Sequence, residues 1–413
     1  MTNGSTAPSA CNESDARAAS SSCCSHSVER KMATRASVPA ESWSTARAYD
    51  HTMQPAHTVV TRPSARVPAS LSEIGARAET RVIDLLDREI ARWRDVDVDL
   101  AEPLVRLRDL VLAGGKRLRP AFCHWAYVGA GGSPEDALVV DAGAALELLH
   151  TFALVHDDVM DGSKRRRGNE AIHEHFIGRH GAKGWRGDGR RFGEGAAILV
   201  GDFAFVYSEM LFRGAPSVAQ HVFDELRVEL CVGQYLDLVG TASASSDATQ
   251  ASRIARYKSG KYTVERPLHL GAALAGRLDD LAEPLSAVGL PLGEAFQLRD
   301  DLLGAFGDAS VTGKPVGDDL REGKLTPLVA FAARRADAEG AQLLTLLGRP
   351  DLGDAEVSAL QHFLVECGAY DEVERAIEQL VDQALTALTD APISTDARIG
   401  LEELAAFVAW RDR

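Results

Sequence analysis

Two pairs of adjacent aspartates sit inside apolar, helix-patterned runs, and few folds tolerate that arrangement. Leu149 to Asp161 reads Leu-His-Thr-Phe-Ala-Leu-Val-His-Asp-Asp-Val-Met-Asp, and Phe296 to Gly304 reads Phe-Gln-Leu-Arg-Asp-Asp-Leu-Leu-Gly. Apolar helices seldom carry carboxylates unless something pairs with them, because burying an unpaired charge is costly. Asp157 and Asp161 are one turn apart and share a helix face. Two carboxylates on one face repel unless a cation lies between them. An all-oxygen ligand set suits Mg²⁺, which keeps waters and takes one or two carboxylates together with substrate phosphates. The simplest reading is a diphosphate held by Mg²⁺ between two helices.

The rest of the chain supplies helices to build around that pair. Helical periodicity begins near Leu71, where Val82, Leu85, Leu86, Ile90 and Trp93 recur at three- and four-residue spacing. Breaks are expected at Gly114-Gly115, at Gly131 to Pro134 and at Gly289 to Pro291. Gly178 to Gly195 reads as a mobile loop, and Ser243 to Gln250 as a second polar break. No alternating strand series is present. The expected organisation is a disordered tail over residues 1–70, rich in Ser, Ala, Thr and Arg, then an all-helical domain over 71–413. That domain should be a single all-α bundle of about a dozen helices around a deep central cavity.

Composition narrows the class. The 413 residues are 45% hydrophobic and 25% charged, as in ordinary globular chains. A net charge of −15 argues against broad nucleic-acid binding. No uninterrupted apolar run is long enough for a membrane span or a signal peptide. The six cysteines show neither zinc-ligand spacing nor a disulfide framework, which fits a reducing cytoplasm.

Further clusters carry cations toward the acidic helices. In Gly114-Gly115-Lys116-Arg117-Leu118-Arg119-Pro120, the glycines end one helix, and Lys116 and Arg119 project at the start of the next. Such a cluster beside a helix N-terminus suits a diphosphate, although a solvated basic turn would look the same. His150 lies two turns before Asp157 on a similar face, where a core histidine is the plain alternative. Lys164 to Arg167 place cations just past Asp161. Tyr257 to Tyr262 offers Lys258, the small hydroxyl of Ser259 and a glycine that permits close approach or a kink. Gly233-Gln234-Tyr235-Leu236-Asp237 is weaker, since a polar helix face explains it equally well. Gln297, Asp300 and Asp301 are followed by Lys314, Asp318, Asp319 and Lys324 around a glycine-broken loop able to close over an anion.

Taken in order, these motifs resemble the trans-isoprenyl diphosphate synthases, or polyprenyl synthetases, from about Leu71 to the C-terminus, in a style similar to actinobacterial geranylgeranyl diphosphate synthases. Gly-Gly-Lys-Arg-x-Arg-Pro, Asp-Asp-x-x-Asp with Arg-Arg-Gly, Gly-Gln-x-x-Asp, Lys-Ser, and Gln-x-x-Asp-Asp with a following Gly-Lys all occur. The resemblance implies that Asp157, Asp161 and Asp300 ligate Mg²⁺, with Asp158 and Asp301 beside them. It implies that Arg166 and Lys258 hold an allylic diphosphate (dimethylallyl, geranyl or farnesyl). Lys116, Arg119, His150 and Arg167 would bind isopentenyl diphosphate, Ser259 and Gln297 would line the developing cation, and Lys314 and Lys324 would help close the site. A homodimer is implied as well. The pattern departs once: the second motif ends in Gly304 where a third aspartate is usual. Asp308, one turn on, is not expected to replace it.

The activity so implied is head-to-tail condensation of isopentenyl diphosphate with an allylic diphosphate. Phe152 and Ala153, the fifth and fourth residues before Asp157, occupy the places where bulk limits chain growth in this family. One aromatic beside alanine suggests the twenty-carbon geranylgeranyl product, with farnesyl diphosphate or a longer chain as alternatives. A class I terpene cyclase would carry Asn, Ser and Glu in its second motif and would not need the Gly114 to Pro120 cations. A non-catalytic partner subunit would be expected to lose Asp157, Asp158 and Asp161.

Overall fold

The computed structural model describes residues 65–411 except 244–252, 254, 308–315, 325 and 350. The chain begins with α1 (Ala69–Arg94), α2 (Val98–Leu112), α3 (Leu118–Gly129) and α4 (Ala137–Asp161). A hairpin of two-residue strands, β1 (Arg165–Arg166) and β2 (Asn169–Glu170), follows, with Arg166 opposite Asn169. Then come α5 (Ile172–Lys183), α6 (Gly189–Phe212), α7 (Ser217–Ser243), a wide-wound π-helical run (Ala255–Glu265), α8 (Arg266–Leu274) and α9 (Leu278–Phe306). The chain closes with α10 (Asp318–Glu322), α11 (Pro327–Arg335), α12 (Ala338–Leu344), α13 (Asp354–Glu366), α14 (Ala369–Asp390) and α15 (Thr395–Trp410). The fold is all-α, as the pattern predicts, with fifteen α-helices among the described residues.

Two apolar cores hold the bundle. One gathers Leu86, Leu104, Leu107, Leu146, Leu149, Phe176 and Phe223 from the N-terminal half, and α4 belongs to it. The other gathers Phe122, Leu268, Leu285, Leu302, Ile377, Val381 and Leu404, and α9 belongs to it. Each such side chain contributes about 1.5–3 kcal/mol when fully withdrawn from water. The two acidic motifs thus ride on helices anchored in different cores.

Local chemistry sets the ends of α4. Asp136 caps its start by accepting the Leu138 N–H at 3.0 Å. Gly162 ends it in the left-handed conformation, φ 66°, directly after Asp161. Asp157 and Asp161 therefore lie in the last turns, where the helix dipole is negative and a carboxylate most needs cations.

Several expectations change. The stretch Gly178 to Gly195 is mostly helix: α5 runs to Lys183 and α6 opens at Gly189, capped by Asp188, which accepts the Arg191 N–H at 2.9 Å. Polar composition there marks outward helix faces. Gly289 to Pro291 is no break either, because α9 passes through it and through Pro284. Its glycines serve close packing: a Cβ at Gly293 would stand 2.7 Å from the Gly260 Cα of the π run. The tail expected over residues 1–70 lies outside the described residues up to 64, and α1 opens at Ala69. Of the polar break at Ser243 to Gln250, α7 reaches Ser243, and 244–250 lie outside the described residues. Lys314 and Asp308 lie outside them as well.

The helices α4 and α6 are long and apolar enough to cross a bilayer by length and composition alone, which the reading of apolar runs did not anticipate. In α4, 61% of the most apolar window is buried inside the protein; in α6, 44%. The α4 case is that of a core helix.

Candidate active site

The Asp157 side of the site is a carboxylate face answered by lysines. Lys258 Nζ stands 3.0 Å from Asp157 Oδ1 and 2.6 Å from Asp237 Oδ2. Gln234 Nε2 donates to the same Asp157 oxygen at 2.9 Å. The π run delivers Lys258 here, and Gly233 of α7 makes room for it, since a Cβ there would lie 2.7 Å from the Lys258 Cα. Lys324 Nζ approaches Asp161 Oδ2 at 4.0 Å. Burial works against ionising Asp157, yet Lys258, Lys324 and Arg166 outweigh it and hold the carboxyl below its ordinary range. Asp161 is pushed up to about 6 by burial and by Asp157 one turn away. Asp158 turns inward, 2% exposed, and accepts Arg166 Nε at 2.8 Å. It orients that arginine and does not face the acidic pair. Arg166 also comes within 3.7 Å of Asp157.

On α9 the aspartates are already engaged. Asp300 Oδ1 accepts Lys116 Nζ at 2.9 Å and Arg411 Nη2 at 2.6 Å. Burial opposes its charge, but those two cations hold it well below the carboxylate range. Lys116 is in turn lowered to about 8 by burial and Arg411. Asp301 is buried; its Oδ1 accepts Gln297 Nε2 at 2.7 Å, and its Oδ2 has no hydrogen-bond partner among the described residues. Burial raises its carboxyl well above the ordinary range.

Between the two lies a cation cluster with spare donors. Among the described residues Arg119 bonds only the neutral Thr263 Oγ1, at 2.7 Å, stacks over Tyr262 at 4.2 Å, and leaves its Nε buried without a partner. Arg167, φ 51°, reaches the Leu110 carbonyl at 2.9 Å, and its guanidinium is lowered to about 10 by burial. His150 is held neutral by burial and by Arg119 and Arg167; its Nδ1 has no partner. Net positive charge and unmet polar nitrogens in one place are what an anion would answer. Arg117 does different work: it bonds Glu147, Glu79 at 2.6 Å and the Val111 carbonyl at 2.7 Å, bracing α3 against α4 and α1.

The remaining predicted residues fall nearby or apart. Ser259 is half-buried on the π run beside Lys258. Phe152 packs on His156 at 4.7 Å and on Phe205 of α6 at 5.1 Å, and Ala153 is half-buried against the same core. Among the described residues no three His, Cys, Asp or Glu side chains converge as a metal cage. A cavity of about 230 Å³ lined by Gly260, Lys261, Leu290 and Glu294 among others contains none of the predicted residues. The site is therefore defined by its converging charges. Arg411 escaped the sequence reading altogether, because its partner Asp300 is 111 residues away. Thr263, one residue past the motif at Lys258, escaped as well, and Tyr262 within that motif was given no role of its own.

Two acidic helix ends faced by cations inside an all-α bundle define a diphosphate-handling helical enzyme. The chain belongs to the polyprenyl synthetase family, whose model matches residues 103–364. It is 33% identical over 299 residues to a geranylgeranyl diphosphate synthase of Mycobacterium tuberculosis, covering 71% of this chain and 79% of that one. It is 31% identical over 292 residues to a geranylfarnesyl diphosphate synthase of Aeropyrum pernix, covering 68% and 86%. A geranylgeranyl pyrophosphate synthase of Corynebacterium glutamicum, solved with isoprenyl diphosphate and magnesium, superposes with a TM-score of 0.77 at 34% identity, covering 84% and 99%. The protein is a prenyltransferase that condenses isoprenyl diphosphates head to tail.

Proposed function

We propose that the protein makes geranylgeranyl diphosphate from isopentenyl diphosphate and allylic primers, in a Mg²⁺-dependent reaction. One observation carries the two-substrate reading: the site holds separate cation groups. Lys258 and Arg166 stand at the α4 carboxylates, while Arg119, Arg167 and His150 carry no carboxylate partner of their own. The first group holds the allylic diphosphate and neutralises charge as its carbon–oxygen bond breaks. The second, joined by Lys116, holds isopentenyl diphosphate so that its double bond faces the allylic carbon. The new carbon–carbon bond forms, a proton leaves to the departing diphosphate, and the chain is five carbons longer. Ser259 and Gln297 line the path of the cation, and Lys324 helps exclude water.

The residues fit a divalent cation. Asp161, pushed up to about 6 by burial and by Asp157, is relieved by one, and hard oxygen donors suit Mg²⁺. Asp157, Asp161 and Asp300 would hold it, and when bound it supplies electrophilic assistance to the leaving diphosphate.

The reading includes a homodimer in the cytoplasm. Exposed apolar residues recur on α6 at Ile198, Val206 and Met210, and on α7 at Val228, Val232, Tyr235 and Val239, with Val206 52% and Tyr235 67% exposed. Faces of this kind favour self-association. The test is incubation of purified protein and Mg²⁺ with isopentenyl diphosphate and each primer, followed by chromatography of the dephosphorylated products. A twenty-carbon alcohol is expected; a cyclised hydrocarbon or no elongation overturns the reading.

A further inference from the structure

Gly304 stands where the second acidic motif usually carries a third aspartate, yet its surface is not bare. Asp319, the second residue of α10, lays its carboxylate against it. A Cβ built on Gly304 would overlap the Asp319 Oδ2 and Cγ and stand 3.0 Å from its Oδ1. Asp301 lies one turn before Gly304 on α9. Asp319 is also tied to the lysine that follows it: the Lys324 N–H donates to the Asp319 carbonyl at 3.1 Å, and Lys324 Nζ lies 3.6 Å from Oδ1. The same Nζ lies 2.5 Å from Glu322 of α10 and 4.0 Å from Asp161 on α4. The glycine is thus a notch, and what fills it joins Glu322 in holding a cation beside the other acidic motif.

We propose that Gly304 and Asp319 act as one unit. The missing side chain at 304 opens a seat on α9, and Asp319 delivers into it, from α10, the carboxylate that the second motif lacks. Seated there, Asp319 is a positioning residue that, together with Glu322, fixes Lys324 between the α9 motif and Asp161. Bulk at 304 and the Asp319 carboxylate cannot occupy the seat together. The role given to Lys324 rests on the prenyl-transfer reading; the notch itself does not.

Melting temperatures and kinetics of the full chain test the two parts separately. An isolated Gly→Ala change inside a helix stabilises, by about one to two degrees in a chain of this size. G304A should raise the melting temperature in a D319A background and lower it in the native one. Equal shifts in the two backgrounds overturn the notch, whether or not the chain elongates prenyl diphosphates. D319N keeps the shape of the side chain and removes its charge. D319A, D319N and G304D should each lower kcat for elongation by about tenfold, the scale of one charge-assisted contact, with a smaller change in the allylic KM. The pair G304D/D319A should recover most of that loss, because the carboxylate is supplied from α9 again. A native-like G304D, or a double variant no better than D319A, overturns the role of Asp319. The native chain run beside them tests elongation itself. Protection against melting by inorganic diphosphate with Mg²⁺, weakened in D319A and restored in G304D/D319A, gives a readout independent of turnover.

Discussion

The acidic ends of α4 and α9 share a sequence signature and differ in electrostatic state. On α4, Asp157 and Asp161 stack on one face at the negative end of a helix dipole, and the cations facing them come from the π run and from Lys324. On α9, Asp300 is clasped by Lys116 and Arg411, while Asp301 is buried with one oxygen unmet. At the first end, Asp157 is held by Lys258 and Gln234, while Asp161 has only the more distant Lys324 among the described residues. At the second, two cations converge on the one Asp300 oxygen, and the third carboxylate position belongs to a residue from another helix. Two matching motifs therefore need not contribute equally, and single substitutions can measure the asymmetry.

The largest effect is expected at the α4 end. Asp157→Ala should lower kcat by roughly 10³-fold or more, as loss of a charge facing the reacting diphosphate does. Folding should change little, because Lys258 keeps Asp237 at 2.6 Å. Near-native turnover, or full activity in the presence of chelator, would erase the distinction between the two ends.

Arg119 comes next. It has no carboxylate partner among the described residues, so Arg119→Ala removes a buried donor that the protein itself leaves unmet. Binding of isopentenyl diphosphate should weaken by about 2–4 kcal/mol, and allylic binding by less. Equal changes in the two Michaelis constants would merge the two cation groups into one.

A smaller effect of opposite sign is expected at Asp161. Its folded carboxyl titrates at about 6, above an unfolded value of about 4. Between those values the folded chain binds more protons than the unfolded one, so stability falls as pH rises through the window and stays lowered above it. Asp161→Asn should therefore stabilise the metal-free protein at neutral pH by about 1–2 kcal/mol, an amount discounted for partial exposure. The gain should vanish below about pH 4, where both states are protonated. Thermal melts across pH in chelator check it; a loss of stability at neutral pH would mean that Lys324 outweighs the repulsion.

What the sequence disclosed follows the range of the interactions. Asp157 and Asp161 share a face by helical geometry alone, and the glycine after Asp161 ends the helix there, so the first motif could be read locally. The Lys258 motif was legible for the same reason, although nothing in it announced eleven residues of π-helical winding. Arg411, the seat under Asp319 and the clasp on Asp300 depend on distant chain segments that the α9 core brings together, and no local pattern encodes them. Gly178 to Gly195 misled because glycine and arginine also suit exposed helix surfaces. At Gly289 to Pro291, glycine records a close approach between α9 and the π run, which in one dimension cannot be told from a break.

The smallest change in rate, and the most specific in outcome, is expected one turn before Asp157. Phe152 lies against His156 and Phe205, so its ring belongs to an aromatic layer between α4 and α6. Ala153 beside it adds almost no volume. If the growing chain descends from the α4 carboxylates toward that layer, Phe152 is its floor. Phe152→Ala removes a ring and should lengthen the product by one or more five-carbon units, with turnover at the first condensation little changed. Ala153→Phe adds a ring at the same depth and should shorten the product toward fifteen carbons. Overpacking there costs about 1–3 kcal/mol of stability, so melting temperatures must accompany the product analysis. Opposite shifts from the two variants fix the floor at this layer. Unchanged product lengths in both would leave Phe152 as core packing between α4 and α6 and move the determinant of chain length elsewhere.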